Sequence, residues 1–290
     1  MTMQDIVRDF VMVDVFANGP FTGNPLPVLR LERDADTATL QDITRWFNLS
    51  ETAFLLPPDD PAADYRVRIF TLDRELPFAG HPTLGACHAW TAMGGVPKGA
   101  GRIVQQCGIG LVELAQFGDT IGFAAPPLIR SGPVDGDVLA RALAILRLDA
   151  EQVEAVAWAD NGPGWLGLIL RDADAVLAVD PVRALGTRAE FGLIGRHAPG
   201  GPADWEIRTL FTDAAGMLIE DPVTGSFNAA AALWLKQAGY VSGDYVARQG
   251  TVIGRDGRVF VRYAGDVTWI CGRAVTCFEG HRTTAIQAGQ

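Results

Sequence analysis

The chain has 290 residues, 48% of them hydrophobic and 20% charged, with a formal net charge of −10. That is more chain than one hydrophobic core ordinarily holds, so two folded domains are expected rather than a disordered polymer. The acidity argues against a nucleic-acid or anionic-membrane surface, since both need a basic patch, but not against a small anionic substrate, which a helix N-terminus can hold without Lys or Arg.

The four cysteines, Cys87, Cys107, Cys271 and Cys277, form no CxxC pair, and the four histidines show no HxxxH or HExxH spacing. No metal site is therefore expected. The opening MTMQDIVRDF lacks a basic segment followed by an apolar core, and no apolar run approaches 18 residues. A cytoplasmic location is the expectation.

In chain order, Phe10 to Phe16 reads as a strand and Ala17 to Pro27 as turn-rich. Leu40 to Phe47 has helical periodicity, Thr52 to Leu56 is strand-like, and YRVRIFT from Tyr65 to Thr71 alternates with period two. Pro82 to Met93 predicts an apolar helix, with Pro in its first turn and Gly-Gly beyond its end. Arg102 to Ala125 is glycine-punctuated strand material, and Pro126-Pro127 marks the boundary between halves. Beyond it, Val138 to Leu148 predicts a helix, Val153 to Trp158 and Trp165 to Leu170 strands, and Asp180-Pro181 opens a further helix toward Arg196. Trp205 to Phe211 alternates again, and Ser226 to Ala238 predicts an alanine-rich helix. Val246 to Ile253, Val259 to Tyr263, Val267 to Cys271 and Ala274 to Phe278 predict a meander, with Asp256-Gly257 and Gly265-Asp266 as hairpin turns. The class is α+β with mostly antiparallel pairing.

An internal echo spans half the chain. Arg68-Ile69-Phe70-Thr71 is followed by Gly80-His81 opening the helix PTLGACHAW; Arg208-Thr209-Leu210-Phe211-Thr212 is followed by Gly225-Ser226 opening FNAAAALWL. Duplication of one domain explains the length, the Pro-Pro boundary and the echo together. Both helices are nearly free of charge, which predicts burial on every side.

Four segments carry candidate chemistry: Gly23-Asn24-Pro25, Asn48-Leu49-Ser50-Glu51-Thr52, Phe78-Ala79-Gly80-His81-Pro82-Thr83, and Glu220-Asp221-Pro222-Val223-Thr224-Gly225-Ser226. The last two open helices, whose first N–H groups lack intrahelical partners and favour negative charge. Two such helix starts facing one cleft would hold a carboxylate or stabilise an enolate, and a proton shift beside it would need a general base, for which Glu51 is the candidate. Leu49, Ala53 and Phe54 flank Glu51 with apolar surface, which disfavours its charge. Taken singly, each residue has an ordinary structural role: Ser50-Glu51 as a capping box, Asp221 as turn and N-cap chemistry, His81 as a helix-start hydrogen bond, Asn24 as a turn residue.

Together, GNP, NLSET, ELPFAGHPTLG and EDPVTGS resemble the phenazine-biosynthesis isomerase (PhzF-like) family, within the diaminopimelate-epimerase-like fold. The resemblance covers essentially the whole chain. It implies two pseudo-symmetric domains, each a curled, mostly antiparallel sheet around a central helix, assigned to 1–125 completed by 279–290 and to 126–278. It further implies a homodimer, no cofactor, and an isomerase acting on a small carboxylate-bearing, cyclic enamino-acid or amino-acid-like molecule. Glu51 then falls on the proton shuttle, with His81 and Asp221 as its catalytic partners; Asn24, Ser50, Gly80, Gly225 and Ser226 fall on substrate-binding positions. Phe227-Asn228 stands where the family usually has small residues, and is expected to alter the pocket.

Two alternatives stand beside this reading. A two-thiol racemase needs a cysteine at each helix start, where this chain has His81 and Ser226, with Cys87 about two turns inside its helix. A non-catalytic small-molecule-binding member of the fold would keep the cleft without turnover. With no GxGxxG that follows a strand to open a helix and no P-loop, the purified protein is expected to be colourless and to keep its activity after dialysis against EDTA; activity assayed before and after dialysis checks this.

Overall fold

The computed structural model describes residues 7–281, which separate into two compact units: residues 7–123 with 273–281, and Ala124–Gly272. The chain re-enters the first unit at Arg273, before the expected position 279, because the last strand pairs along its whole length with the first. The remainder of the expected 279–290 segment lies outside the described residues.

The first unit contains β1 (Val7–Val15), β2 (Asn24–Leu31), α1 (Thr37–Phe47), β3 (Glu51–Leu56), β4 (Tyr65–Thr71), β5 (Glu75–Leu76), α2 (Gly80–Ala92), β6 (Arg102–Cys107), β7 (Gly110–Phe117) and β8 (Thr120–Ala124). The second contains β9 (Arg130–Gly132), α3 (Gly136–Leu146), β10 (Val153–Asp160), β11 (Leu166–Leu170), α4 (Ala173–Ala178), β12 (Glu190–Arg196), β13 (Trp205–Thr212), β14 (Leu218–Asp221), α5 (Gly225–Gln237), β15 (Tyr245–Gln249), β16 (Gly257–Ala264) and β17 (Val267–Gly272), after which β18 (Ala274–His281) returns to the first unit.

The pairing sequence is the same in both units. β1 and β2 are antiparallel, β2 joins β3 in parallel through α1, β3 and β4 are antiparallel, β4 takes the short β5 as an antiparallel neighbour, and β4 joins β6 in parallel through α2. In the second unit β10 and β11 are antiparallel, β11 joins β12 in parallel through α4, β12 and β13 are antiparallel, β13 takes β14, and β13 joins β15 in parallel through α5. Antiparallel strands complete each unit, with β18 on β1 and β9 on β10. The fold is a duplicated α+β domain.

The register makes residues correspond. Phe70 faces Glu75 and Leu210 faces Glu220, so Arg68 with Glu75 and Arg208 with Glu220 are the same ion pair in two copies, at 2.7 and 2.8 Å. Arg208 is wholly buried and also donates to the carbonyls of Val176 and Val179 at the end of α4. Buried so, a guanidinium needs both the carboxylate and the carbonyls to offset its desolvation.

Helices α2 and α5 are buried around most of their circumference, and α2 touches β1, β2, β3, β4, β6 and β18. Enclosure demands small residues at each close approach. A Cβ on Gly85 of α2 would lie 2.5 Å from the Leu26 side chain. Around α5 the glycines sit in the strands instead: a Cβ on Gly192 would lie 1.9 Å from the Phe227 ring and one on Gly167 2.6 Å from the Trp234 ring.

Three expectations are corrected. No helix opens at Asp180-Pro181; the helix of that region is α4, capped by Asp172, and Glu190–Arg196 is strand β12. Its apolar run FGLIG lies between β11 and β13, and a strand buried on both sides has no alternation to announce it. The strand expected to reach Ile253 stops at Gln249, and a 3₁₀ turn at Thr251–Ile253 replaces the tight turn expected at Asp256-Gly257. Asn24 to Pro27 belongs to β2; it pairs there only with β1, so the prolines withhold no donor from a second neighbour. Gly265-Asp266 does form a two-residue turn, with Ala264 opposite Val267 and Gly265 at φ +59°.

Gly192→Ala is expected to destabilise the protein by about 2–3 kcal/mol through overpacking against Phe227, read as a lower urea midpoint. The second substitution Phe227→Leu should restore part of the loss.

Candidate active site

In the first unit, three of the four sequence segments converge. Glu51 opens β3 opposite Thr71, just after α1 has ended at the left-handed Asn48. His81 is the second residue of α2, and its Nδ1 lies 3.5 Å from Glu51 Oε2, with side-chain exposures of 4% and 18%. The His81 ring also donates to the carbonyl of Pro25, beside the buried Asn24. Burial pushes His81 down to about 3, against the weaker opposing pull of that carbonyl. The ring is therefore a neutral imidazole at neutral pH, and its contact with Glu51 is not an ion pair. Nε2 is buried without a hydrogen-bond partner among the described residues.

The start of α2 has no side-chain cap: Ala79 stands at the cap position and Pro82 brings no N–H. Gly80 and His81 thus present N–H groups that the helix itself does not use. Ser50 is a half-buried turn residue immediately before Glu51. Asp14, the penultimate residue of β1, accepts from the N–H groups of Thr22 at 2.8 Å and Gly23 at 3.0 Å, and so fixes the turn that delivers Asn24. Gln105 holds the first turn of α2, donating to Thr83 Oγ1 and accepting from Tyr65, both at 3.0 Å.

The second unit holds the fourth segment. Asp221 ends β14, and α5 begins at Gly225 with Thr224 at the cap position, whose hydroxyl donates to Asp221 Oδ2 and accepts no cap bond from the helix. Gln249, wholly buried on β15, accepts from Thr224 N at 3.1 Å and Asn228 Nδ2 at 2.9 Å. Ser226 is held from a loop: Trp165 Nε1 donates to its hydroxyl at 3.1 Å and Asn161 Nδ2 to its carbonyl at 2.9 Å.

Asp14, Thr209, Gln249, Trp165 and Asn161 are not among the residues expected from sequence. Of these, Asp14 alone leaves a local trace, an acid inside the apolar run VMVDVF. Phe227 and Asn228, expected to alter a pocket, instead enter the interior of their own unit, Phe227 edge-on to Trp165 and Asn228 bonded to Thr224 O and Gln249. A bulky residue is accommodated there because Gly192 leaves the room. Cys87 is buried inside α2, and burial pushes its thiol up to about 12, far from the thiolate a two-thiol racemase requires. Among the described residues no helix is long and apolar enough to cross a membrane.

Comparison with known proteins agrees with the motif set. The family described as phenazine biosynthesis-like protein matches residues 13–280. The antisense-enhancing sequence 1 protein of Schizosaccharomyces pombe is 31% identical, over 94% of this chain and 98% of that protein. A trans-2,3-dihydro-3-hydroxyanthranilate isomerase of Pseudomonas aeruginosa is 32% identical, over 88% of this chain and 90% of its own. The solved structure of a predicted epimerase from Pseudomonas aeruginosa aligns with a TM-score of 0.74 at 28% identity, covering 96% of this chain and all of that one.

The depressed His81 value sets a pH prediction. An unfolded histidine takes up its proton near 6.5, whereas folded His81 does so only near 3. Below pH 6.5 the unfolded chain binds a proton that the native state refuses, so stability present above 6.5 is lost as pH falls toward 3. Between pH 7 and 5 the wild type should lose about 2 kcal/mol more than His81→Gln, measured by urea unfolding at the two values.

Proposed function

Because the chain belongs to the phenazine biosynthesis-like family and is an isomerase, we propose that it shifts a proton on a small carboxylate-bearing, cyclic enamino-acid or amino-acid-like substrate, with Glu51 as general acid and base. The observation that carries this reading is Glu51 set 3.5 Å from a neutral imidazole at a helix start without a side-chain cap. Removing a proton from carbon beside a carboxylate leaves negative charge that helix N–H groups stabilise but cannot accept as a proton. A carboxylate that takes the proton and returns it at another carbon completes the step, and the electron pair released at the first carbon moves through the double bond to the second. No oxidant, reductant or cofactor is required by that balance.

The roles follow from the groups. Neutral His81 offers hydrogen bonds without competing for the proton, since its basicity lies far below that of a free imidazole. The N–H groups of Gly80 at the start of α2, and those of Gly225 and Ser226 at the start of α5, would each be donors to a carboxylate. Asp221 would accept from an amine or hydroxyl, and Asn24 and Ser50 would be substrate contacts in the unit that holds Glu51. The relative that is a trans-2,3-dihydro-3-hydroxyanthranilate isomerase supplies the first compound to try.

Incubation in D₂O with trans-2,3-dihydro-3-hydroxyanthranilate and related cyclic enamino acids, followed by NMR, should show deuterium at the carbon that gains the proton. General acid–base catalysis contributes about 10²–10⁴-fold; Glu51→Gln should lose at least that much while still binding ligand. Asp221→Asn and His81→Ala should weaken turnover and binding together. Near wild-type turnover by Glu51→Gln would place the shuttle elsewhere, and ligand binding without exchange in the wild type would favour the non-catalytic reading.

A further inference from the structure

The second unit contains a hydrogen-bonded chain behind Asp221 whose proton directions can be deduced one by one. Gln249, wholly buried, has its amide orientation set by two donors to its oxygen, Thr224 N at 3.1 Å and Asn228 Nδ2 at 2.9 Å. Its nitrogen must therefore donate, and its two N–H protons are shared among Thr209 Oγ1 at 2.9 Å, Thr224 Oγ1 at 3.0 Å and the Asp221 carbonyl at 3.2 Å. Thr224 has one hydroxyl proton, and gives it to Asp221 Oδ2. Between Thr209 and Thr224, which are also hydrogen-bonded, Thr209 must then be the donor. Each hydroxyl points the next, and the last donates to the carboxylate.

We propose that Gln249, Thr209 and Thr224 form a positioning relay that holds Asp221 Oδ2 as an obligate acceptor. With Thr224 already accepting from Thr209 and Gln249, a proton on Oδ2 would have no acceptor and would displace Thr224's own. Asp221 therefore meets the substrate as an acceptor held in one orientation, matched to a substrate N–H or O–H donor. This rests on the role given to Asp221 under the proposed function, and assigns three further residues to it.

The fold does not itself require the relay. Leu76 faces Ile69 in the first unit where Asp221 faces Thr209 in the second, so the duplicated strand–helix element forms with aliphatic residues at both positions. Thr209 is wholly buried, on a strand whose interior neighbours Ile207 and Leu210 are apolar. A hydroxyl there is costly unless paired, and this one gives its proton to Thr224 and accepts from Gln249.

Thr209→Val keeps the shape and removes the donor; Thr209→Ser keeps the donor. With trans-2,3-dihydro-3-hydroxyanthranilate as the probe, Thr209→Val should lose about tenfold in kcat/KM, the scale of one charge-assisted hydrogen bond, at an unchanged or higher melting temperature. Thr209→Ser should recover most of it, and adding Thr209→Val to Asp221→Asn should cost nothing more. Wild-type kcat/KM in Thr209→Val, equal losses in Val and Ser, or multiplying losses in the double variant would each overturn the relay. A crystal structure of Thr209→Val judges it without turnover: the Asp221 carboxylate should rotate away from its wild-type pose, and an unmoved Asp221–Thr224 pair refutes the proposal. Full turnover by Asp221→Asn would instead remove Asp221 from the proposed function, leaving that crystal structure to decide the relay alone.

Discussion

A helix enclosed by strands is the constraint from which the rest follows. Helices α2 and α5 bury nearly every residue of their first two turns, so charge is excluded from them and every close approach has to be met by a missing side chain. In the first unit the helix supplies the gap, at Gly85; in the second the strands do, at Gly167 and Gly192. The same enclosure governs the helix starts. An enclosed N-terminus has orphan N–H groups that bulk water cannot satisfy freely, and neither helix uses a side-chain cap.

Burial also decides the chemistry of the side chains beside those helix starts. Surrounding His81 with protein removes the solvation its cation would need, so the ring is kept neutral and is no counter-ion to Glu51. The same effect renders Cys87 an inert packing residue despite its place in the central helix. Two residues of reactive type, in one helix, are given opposite meanings by where along the helix they fall.

Duplication gave both units the same pairing order and the same arginine–glutamate pair, fully buried only in the second, yet their polar interiors have diverged. Gln105, Thr83 and Tyr65 steady the start of α2. Gln249, Asn228, Thr224 and Thr209 steady the start of α5 and end on a carboxylate. A glutamine amide serves both because it can accept on one side and donate on the other, which joins a helix turn to a neighbouring strand. The second network is larger, and its excess over the first leads to Asp221.

What the sequence by itself determined was the duplication, the two apolar helices and the four polar segments, because each is written in contiguous residues: RIFT and RTLFT before glycine, charge-free runs, and turn-forming GNP, NLSET, FAGHPT and EDPVTGS. Strand β12 was not legible, since a strand buried on both faces has no alternation, and the prolines of β2 disguised its first half, which pairs with β1 alone. The tertiary structure alone decided that Glu51 and His81 meet, thirty positions apart in the chain, and that Phe227 turns into the interior over Gly192. It alone could join Thr209 and Gln249 to Asp221, because a buried hydrogen bond depends on which strands lie side by side, and parallel pairing of β13 with β15 brings together residues separated by a whole helix.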